Sequence, residues 1–414
     1  MSEVVLITIS GQDRAGLTSA LTGILAKYDV NVLDIGQSVI HESLSLGILI
    51  EAPEEDKTSA VLEHTAFKDI LFKAHELNLN VRFTPIAKQE YEHWVKSQGR
   101  AKHIVTLLGR KITARQLAKV TEVVAEEGFN IDQISRLSGR LSLDQTESSR
   151  AASIQLSLSG EVDDIAKMHS HFLNISQELD LDIAVQEDNL YRRSRRLVCF
   201  DMDSTLIQVE VIDELAKAAG VGDKVAAITE SAMRGEIDFS ESFRQRMALL
   251  KGMDESVLKE IAECLPVTEG AARLISHLRH FGYKIAILSG GFTYFANYLK
   301  EKLGIDYVYA NQLDFENGKL TGKVKGDIVD GKMKAKLLVK LAEKEGISTE
   351  QVIAVGDGAN DLPMLAIAGL GIAFHAKPIV KEKAQHSIAN LGLDSILYLL
   401  GMRDRELAEL ENNK

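Results

Sequence analysis

The sequence predicts an α/β protein: a parallel, helix-covered sheet with an all-helical insert, preceded by two α+β units of βαββαβ order. Three observations predict it. A βαββαβ pattern occurs twice, about 99 residues apart. After residue 196, short continuous apolar runs alternate with helical periodicity, as strands buried on both faces do. Three of those runs end directly on acidic or small residues, in DMDST, SGG and GDGAND. In a parallel sheet such positions gather beyond the carboxyl ends of the strands, where ligands bind.

The 414 residues allow two to four domains. Apolar residues make up 45% and charged residues 26%, with five prolines and no low-complexity tract, so a folded chain is expected. A net charge of −12 argues against general binding to nucleic acid or anionic membranes. No apolar run approaches the roughly 18–20 residues that span a bilayer. Met1-Ser2-Glu3-Val4 lacks the basic and apolar regions of an export signal. Cys199 and Cys264 lie far apart without metal-ligand spacing, which suggests a reducing cytoplasm and two small packing residues.

In the first repeat, β-branched Val4–Ile9 reads as a strand, Gly11–Gly16 (GQDRAG) as a turn, and Leu17, Leu21, Ile24 and Leu25 as a helix stripe. Strands at 31–40 and 44–50, a helix at 58–76 and a strand at 80–86 complete it. The second repeat has strands at 103–108, from Asn130, at 153–159 and at 181–185. Its helices are marked by Leu117, Val120, Val123 and Val124 and by the span 162–179. Residues 87–101 read as a polar linker. Arg192-Arg193-Ser194-Arg195-Arg196 reads as a solvated linker at a domain boundary rather than a nucleic-acid patch.

Two such units in tandem resemble ACT domains, ferredoxin-like modules that bind amino acids and regulate enzymes. The resemblance puts domains at 1–88 and 100–188. It implies an amino-acid effector, held at Gly11, Asp13 and Gly16 by backbone N–H groups at a helix start, and a homodimer. The alternative is that both copies only dimerise the chain. The second copy departs from the loop pattern: Gly109-Arg110-Lys111-Ile112-Thr113 keeps one glycine and loses the Asp.

The C-terminal region, 195–402, opens with Leu197–Phe200 as a buried strand. A helical insert, about 211–268, has stripes at Ile212, Leu215, Ala216 and Ala219 and at Phe239, Phe243, Met247 and Leu250. Then come a helix at 271–281 and an apolar strand at 283–288. A hairpin over 307–324 turns at Asn317-Gly318. A helix at 332–345 and strands at 351–355 and 371–374 follow.

Alone, Asp201-Met202-Asp203 could be a strand-end turn. Strand alternation puts both carboxylates on one side of the strand tip, where they need a cation or a shared proton. Hard Mg²⁺ takes such oxygen ligands. A carboxylate, with a reference pKa near ~3.9, is ionised at neutral pH and attacks phosphorus without a base. Asp201 is therefore the candidate nucleophile and Asp203 the candidate general acid and base. The candidate metal ligands are Asp201, the backbone carbonyl of Asp203, and Asp357, with Asp361 behind them. Ser289 and the Gly290 N–H are placed to hold phosphoryl oxygens, and Lys334 to offset charge.

The set DMDST, SGG, Lys334 and GDGAND resembles the haloacid-dehalogenase-like phosphohydrolases, which implies a Rossmann-like sheet with a helical cap. Within them, DMDSTLIQVEVIDELA, EIDFSESFRQRMALL, LSGGF and VGDGANDLPML resemble the phosphoserine phosphatases. That resemblance implies Mg²⁺-dependent hydrolysis of O-phospho-L-serine to L-serine, the last step of serine biosynthesis. By motif position it implies that Glu210 pairs with the substrate ammonium and Arg246 with its carboxylate. Met233 and Phe239 would close over the site, and Asn360 would contact substrate or phosphate. Transfer of phosphate to another hydroxyl, such as that of homoserine, is the alternative.

Overall fold

The computed structural model describes residues 4–51, 65–97, 102–140, 151–160, 165–234 and 236–412. Contacts divide the chain into two compact units, Met1–Arg100 and Ala101–Lys414. The first runs β1 (Val4–Gln12), α1 (Leu17–Lys27), β2 (Asn31–Ile40), β3 (Ser43–Glu51), α2 (Thr65–Glu76) and β4 (Asn80–Ile86). Its antiparallel sheet has the order β2-β3-β1-β4. Alternation along β1 and β3 turns Val5, Ile7, Ile9, Leu46, Ile48 and Ile50 onto Leu21 and Leu25 of α1 and Phe67 and Ile70 of α2. The expected start of α2 at residue 58 lies outside the described residues.

The expected linker between the copies is in part a helix, α3 (Lys88–Ser97). No glycine or proline interrupts it, its lysines, Gln89, Glu90 and Glu92 are good helix formers, and Tyr91 meets Trp94 one turn on, with ring centroids 5.9 Å apart.

The second unit begins with β5 (Lys102–Gly109), α4 (Ala114–Glu126), β6 (Asn130–Arg136), β7 (Ala152–Ser159), α5 (Ile165–Leu179) and β8 (Asp182–Glu187), in sheet order β6-β7-β5-β8. A capping box between Thr113 and Gln116 starts α4. The turn α6 (Leu190–Arg193) then leads to β9 (Leu197–Phe200). Here the structure corrects the sequence reading. Arg192 and Arg195 of the basic run are buried, at 6% and 4% exposure.

β9 lies at the middle of a seven-stranded sheet of order β12-β11-β10-β9-β13-β14-β15. The others are β10 (Lys284–Phe292), β11 (Tyr307–Glu316), β12 (Lys319–Lys325), β13 (Val352–Gly356), β14 (Leu370–Phe374) and β15 (His386–Ile388). All neighbours are parallel except β11 and β12. Asn317 and Gly318 between that pair have φ of 52° and 74°, as a type I′ turn requires.

The cap comprises α7 (Val211–Ala218), α8 (Gly222–Met233), α9 (Phe239–Leu249) and α10 (Ser256–Glu263). Its two linkers pair as a short ribbon: Ile207 bridges Val267, and the Gln208 N–H donates to the Pro266 carbonyl at 3.0 Å. The helices α11 (Ala271–His280), α12 (Thr293–Leu303), α13 (Gly331–Glu345), α14 (Leu362–Ile367), α15 (Pro378–Lys383), α16 (Ile396–Leu399) and α17 (Asp404–Asn412) complete the chain.

Leu108, Leu137 and Ala184 of the second repeat belong to the same buried cluster as Phe200, Tyr398 and Leu407. The Asp182 carboxylate accepts from the Ala389 and Asn390 N–H groups, each at 2.9 Å. Arg110 and Glu269 form a two-pronged ion pair at 3.2 and 3.0 Å. The second repeat thus spends its would-be ligand loop on docking.

Candidate active site

Register fixes the geometry. Phe200 at the end of β9 lies level with Ile287 of β10 and Val355 of β13. Asp201, Ser289 and Asp357, one or two residues beyond these, therefore meet at one edge. The Asp201 N–H donates to the Val355 carbonyl at 2.8 Å, which pins the strand tip.

Asp201 is 5% exposed. Its Oδ1 accepts from the Met202 N–H at 2.7 Å and from Lys334 Nζ at 2.8 Å. Lys334 is fully buried and also donates to Asp361 Oδ1 at 2.7 Å. Asp330 caps α13 by accepting from the Met333 N–H, and so sets the first turn that carries Lys334. Burial alone would lower the Lys334 ammonium pKa; the charges of Asp201 and Asp361 outweigh it and hold it above the ordinary lysine value.

One carboxylate oxygen from each of Asp201, Asp357 and Asp361 lies within 4.8 Å of the others. Burial, then repulsion from Asp201 and Asp361, pushes Asp357 up to about 8. Burial, then Asp201, pushes Asp361 up to about 7 despite Lys334. Carboxylates crowded this closely cannot all ionise without added positive charge, and an all-oxygen set suits a hard divalent cation. The residues present therefore fit such an ion. Gly356 permits the crowding, because a Cβ there would lie 2.4 Å from Asp361 Cγ.

Asp203 differs from the expectation of two carboxylates side by side. The strand stops at Phe200, so alternation no longer applies. The chain turns through Ser204 at φ 55°, and Asp203 Oδ1 accepts from the Val211 N–H at 3.1 Å, at the cap's first helix. Its carboxylate stands outside the three-Asp cluster. Burial first, then Glu210 and Asp201, raise its pKa well above the ordinary value. Its surroundings thus favour the protonated form of Asp203, while Asp201 is paired with a cation.

Ser289 is fully buried. Its Oγ accepts from the Gly291 N–H at 2.8 Å, which leaves the hydroxyl proton free to donate. Phe239 lies against this strand: a Cβ on Gly290 would come within 3.0 Å of its ring. It stacks on Phe243, which meets Phe292, so the cap rests on β10 through three aromatic rings. Glu210 Oε1 accepts from Ser204 Oγ at 2.8 Å. Arg246 is half-buried on α9 and feels the charges of Glu210, Asp213 and Asp203. Asn360 is half-buried, its Oδ1 folded over Gly358. The Met233 side chain lies outside the described residues.

Two contributors escaped the sequence reading. Asn311 is 1% exposed; its Nδ2 donates to the Gly290 carbonyl at 2.7 Å and its Oδ1 accepts from the Val329 N–H at 2.9 Å. It ties the SGG segment to the loop before Lys334. Its signal was an Asn inside an otherwise β-rich run, where that residue type is depleted. Thr205, fully buried, donates to Asp357 Oδ1 at 3.4 Å.

In the first unit, Gly11 falls within β1, Asp13 is exposed, and Gly16 at φ 89° is the N-cap of α1. They occupy neighbouring positions at one end of that sheet.

Comparison with known proteins assigns the family. Residues 195–369 match the haloacid dehalogenase-like hydrolase family, and residues 3–84 and 101–186 each match an ACT domain family. The phosphoserine phosphatase SerB2 of Mycobacterium tuberculosis is 39% identical over 409 residues, which is 97% of this chain and 94% of that protein. The chain belongs to the phosphoserine phosphatase family. A phosphoserine phosphatase of Streptomyces coelicolor is 38% identical over 97% of this chain and 93% of its own length. Among solved structures, an unliganded probable phosphoserine phosphatase from Vibrio cholerae has TM-score 0.58 at 37% identity, covering 74% of this chain and 87% of that one. A haloacid dehalogenase family hydrolase from Salmonella enterica has TM-score 0.63 at 30% identity, covering 72% and 98%. None of these relatives is named as a transferase, so transfer to a second hydroxyl gains no support. No helix among the described residues is long and apolar enough to cross a membrane.

Proposed function

We propose that this chain hydrolyses O-phospho-L-serine to L-serine and phosphate, the closing step of serine biosynthesis, through an aspartyl-phosphate on Asp201. The observation that carries the reading is the buried Lys334 bridging Asp201 and Asp361, beside Asp203, whose buried and negatively charged surroundings raise its pKa. The first step needs a nucleophile whose charge is offset and a separate acid. Lys334 and the Met202 N–H both engage Oδ1 of Asp201, which leaves Oδ2 as the attacking oxygen in this reading. As the Asp201–phosphorus bond forms, the ester bond breaks and Asp203 gives its proton to the serine oxygen. Asp203, now a carboxylate, takes a proton from the water that attacks the phosphoenzyme, the Asp201–phosphorus bond breaks, and phosphate leaves with the Asp201 carboxylate regenerated. Ser289 Oγ and the Gly290 N–H hold the phosphoryl oxygens.

Asp201, the Asp203 carbonyl and Asp357 would hold Mg²⁺, with Asp361 orienting its surroundings; when bound, the ion neutralises charge shared by phosphate and carboxylates. Glu210 and Arg246 give a zwitterionic substrate one anion and one cation beyond the phosphate clamp. Phe239 closes over the site, and Asn360 contacts the substrate. Three domains, at 1–88, 100–188 and 195–402, divide the labour, with the cap at about 211–268. The first ACT copy would sense an amino acid at Gly11, Asp13 and Gly16, in a cytoplasmic homodimer.

A phosphate-release screen over phosphoserine, phosphothreonine and sugar phosphates with added Mg²⁺ tests the substrate. Asp201→Asn should abolish release without lowering the unfolding midpoint, since it relieves carboxylate crowding. Turnover near wild type in that variant would remove Asp201 as the nucleophile.

A further inference from the structure

The SGG segment lies in β10, yet the sheet does not hold it. Leu288 of β10 pairs with Tyr309 of β11, and Phe292 pairs with Asn311, so Ser289, Gly290 and Gly291 bulge out against the single residue Ala310. A bulge disrupts the ladder and leaves its extra residues unpaired. Two glycines in succession also add the most permissive backbone a chain can place there. Neither can give way to a stiffer residue: a Cβ on Gly290 would press on the Phe239 ring, and one on Gly291 would press on Asp203. The peptide between them therefore needs a restraint from outside the strand.

Asn311 supplies it. The Val329 N–H can only donate, so it selects Oδ1 of the Asn311 amide and leaves Nδ2 to face the Gly290 carbonyl. In a trans peptide the carbonyl and the following N–H point in opposite directions. Holding the Gly290 carbonyl toward Asn311, at 2.7 Å, turns the Gly291 N–H the other way, onto Ser289 Oγ at 2.8 Å. That contact occupies one side of the serine oxygen and directs its proton away from Gly291. At 1% exposure, Asn311 is shielded from water that could compete for the Gly290 carbonyl.

We propose that Asn311 is a positioning residue for the reaction: it fixes the Gly290–Gly291 peptide and, through it, the direction of the Ser289 hydroxyl that grips the phosphoryl group. Asn311 itself contacts no reacting atom in this assignment. The inference deepens the reading of Ser289 as a phosphoryl contact and rests on it. Every phosphate monoester shares the phosphoryl end, so the loss of Asn311 should fall alike on phosphoserine and on an aryl phosphate. Loss of Arg246, which is assigned to the substrate carboxylate, should not.

The test is a cycle of Ser289→Ala, Asn311→Ala and the double variant in the full-length protein. It is read by kcat/KM on both substrates and by inhibition with inorganic phosphate. Asn311→Ala should lower kcat/KM about tenfold and raise the phosphate inhibition constant by about as much, the worth of one well-placed hydrogen bond. Ser289→Ala should lose about 10²-fold in kcat/KM. Because Asn311 acts through Ser289, the double variant should fall within about twofold of Ser289→Ala alone. Independent losses multiply, so a further loss of about tenfold in the double variant overturns the proposal. A merely structural Asn311 would lower the unfolding midpoint and the amount of active enzyme but leave the phosphate inhibition constant unchanged, and that result also overturns it. If Ser289→Ala leaves phosphate inhibition unchanged, the phosphoryl role of Ser289 fails and this proposal fails with it. If Ser289→Ala weakens inhibition and Asn311→Ala does not, only the positioning role fails. Should Asn311→Ala not fold, Asn311→Ser, too short to reach Gly290 and Val329 at once, is read against the same outcomes.

Discussion

Replacing Lys334 with methionine removes the ammonium from between Asp201 Oδ1, at 2.8 Å, and Asp361 Oδ1, at 2.7 Å, at a position with no exposure. Two carboxylates then remain in the interior with no partner of opposite charge. Removing one member of a buried ionic group costs about 3–5 kcal/mol. Asp361 already stands at about 7, so at neutral pH it can take up a proton and hold the cost near the lower end. The loss should therefore be larger at pH 9, where that proton is scarce, than at pH 6. Denaturant unfolding in the presence of a chelator measures it. Adding Mg²⁺ should restore part of the loss, and Lys334→Met/Asp361→Asn should recover about half, because one stranded charge is gone. Phosphate release should fall by about 10²–10³ in both variants, as removal of a preorganised electrostatic group does. A loss under about 1 kcal/mol at every pH, with turnover within about threefold of wild type, would refute the claim that Lys334 neutralises the nucleophile.

Arg246→Ala should raise KM for phosphoserine by about 10–100-fold, the worth of a charge-assisted contact, and leave an aryl phosphate nearly unaffected; steady-state kinetics on both substrates would expose an equal loss. Gly291→Ala should displace Asp203, since a Cβ there would lie 2.4 Å from its Oδ2. Single-turnover release of the leaving group should fall for phosphoserine and be spared for an aryl phosphate, whose leaving group needs no proton, while steady-state turnover of both falls because Asp203 also activates the water. Burial, helped by His169 and Arg195, holds His386 down to about 3, so in this pH range the folded state keeps it neutral and the unfolded chain protonates it near 6.5. Its contribution is complete above pH 6.5 and is lost as pH falls toward 3, by about 2 kcal/mol between pH 7 and 5. Unfolding midpoints of wild type and His386→Gln across that interval should converge as the pH drops.

Much of the site was legible because its parts lie at strand ends. Apolar runs 197–200, 284–288 and 352–355 each stop on chemistry-bearing residues, and parallel register brings those stops together. Reading them needed only local periodicity. The hairpin at Asn317-Gly318 was legible for the same reason, as two adjacent residues fix the turn.

What the sequence alone determined is therefore the order of elements, the doubled βαββαβ pattern and the carboxylates at the strand tips, because these follow from spacings of two to four residues along one chain. Only the tertiary structure decided that Asp203 turns toward Val211 and that Arg192 and Arg195 are buried beneath the second repeat. Each depends on which groups from distant parts of the chain approach within about 3–4 Å, where charge and desolvation compete. A linear sequence lists those groups without giving the distances between them.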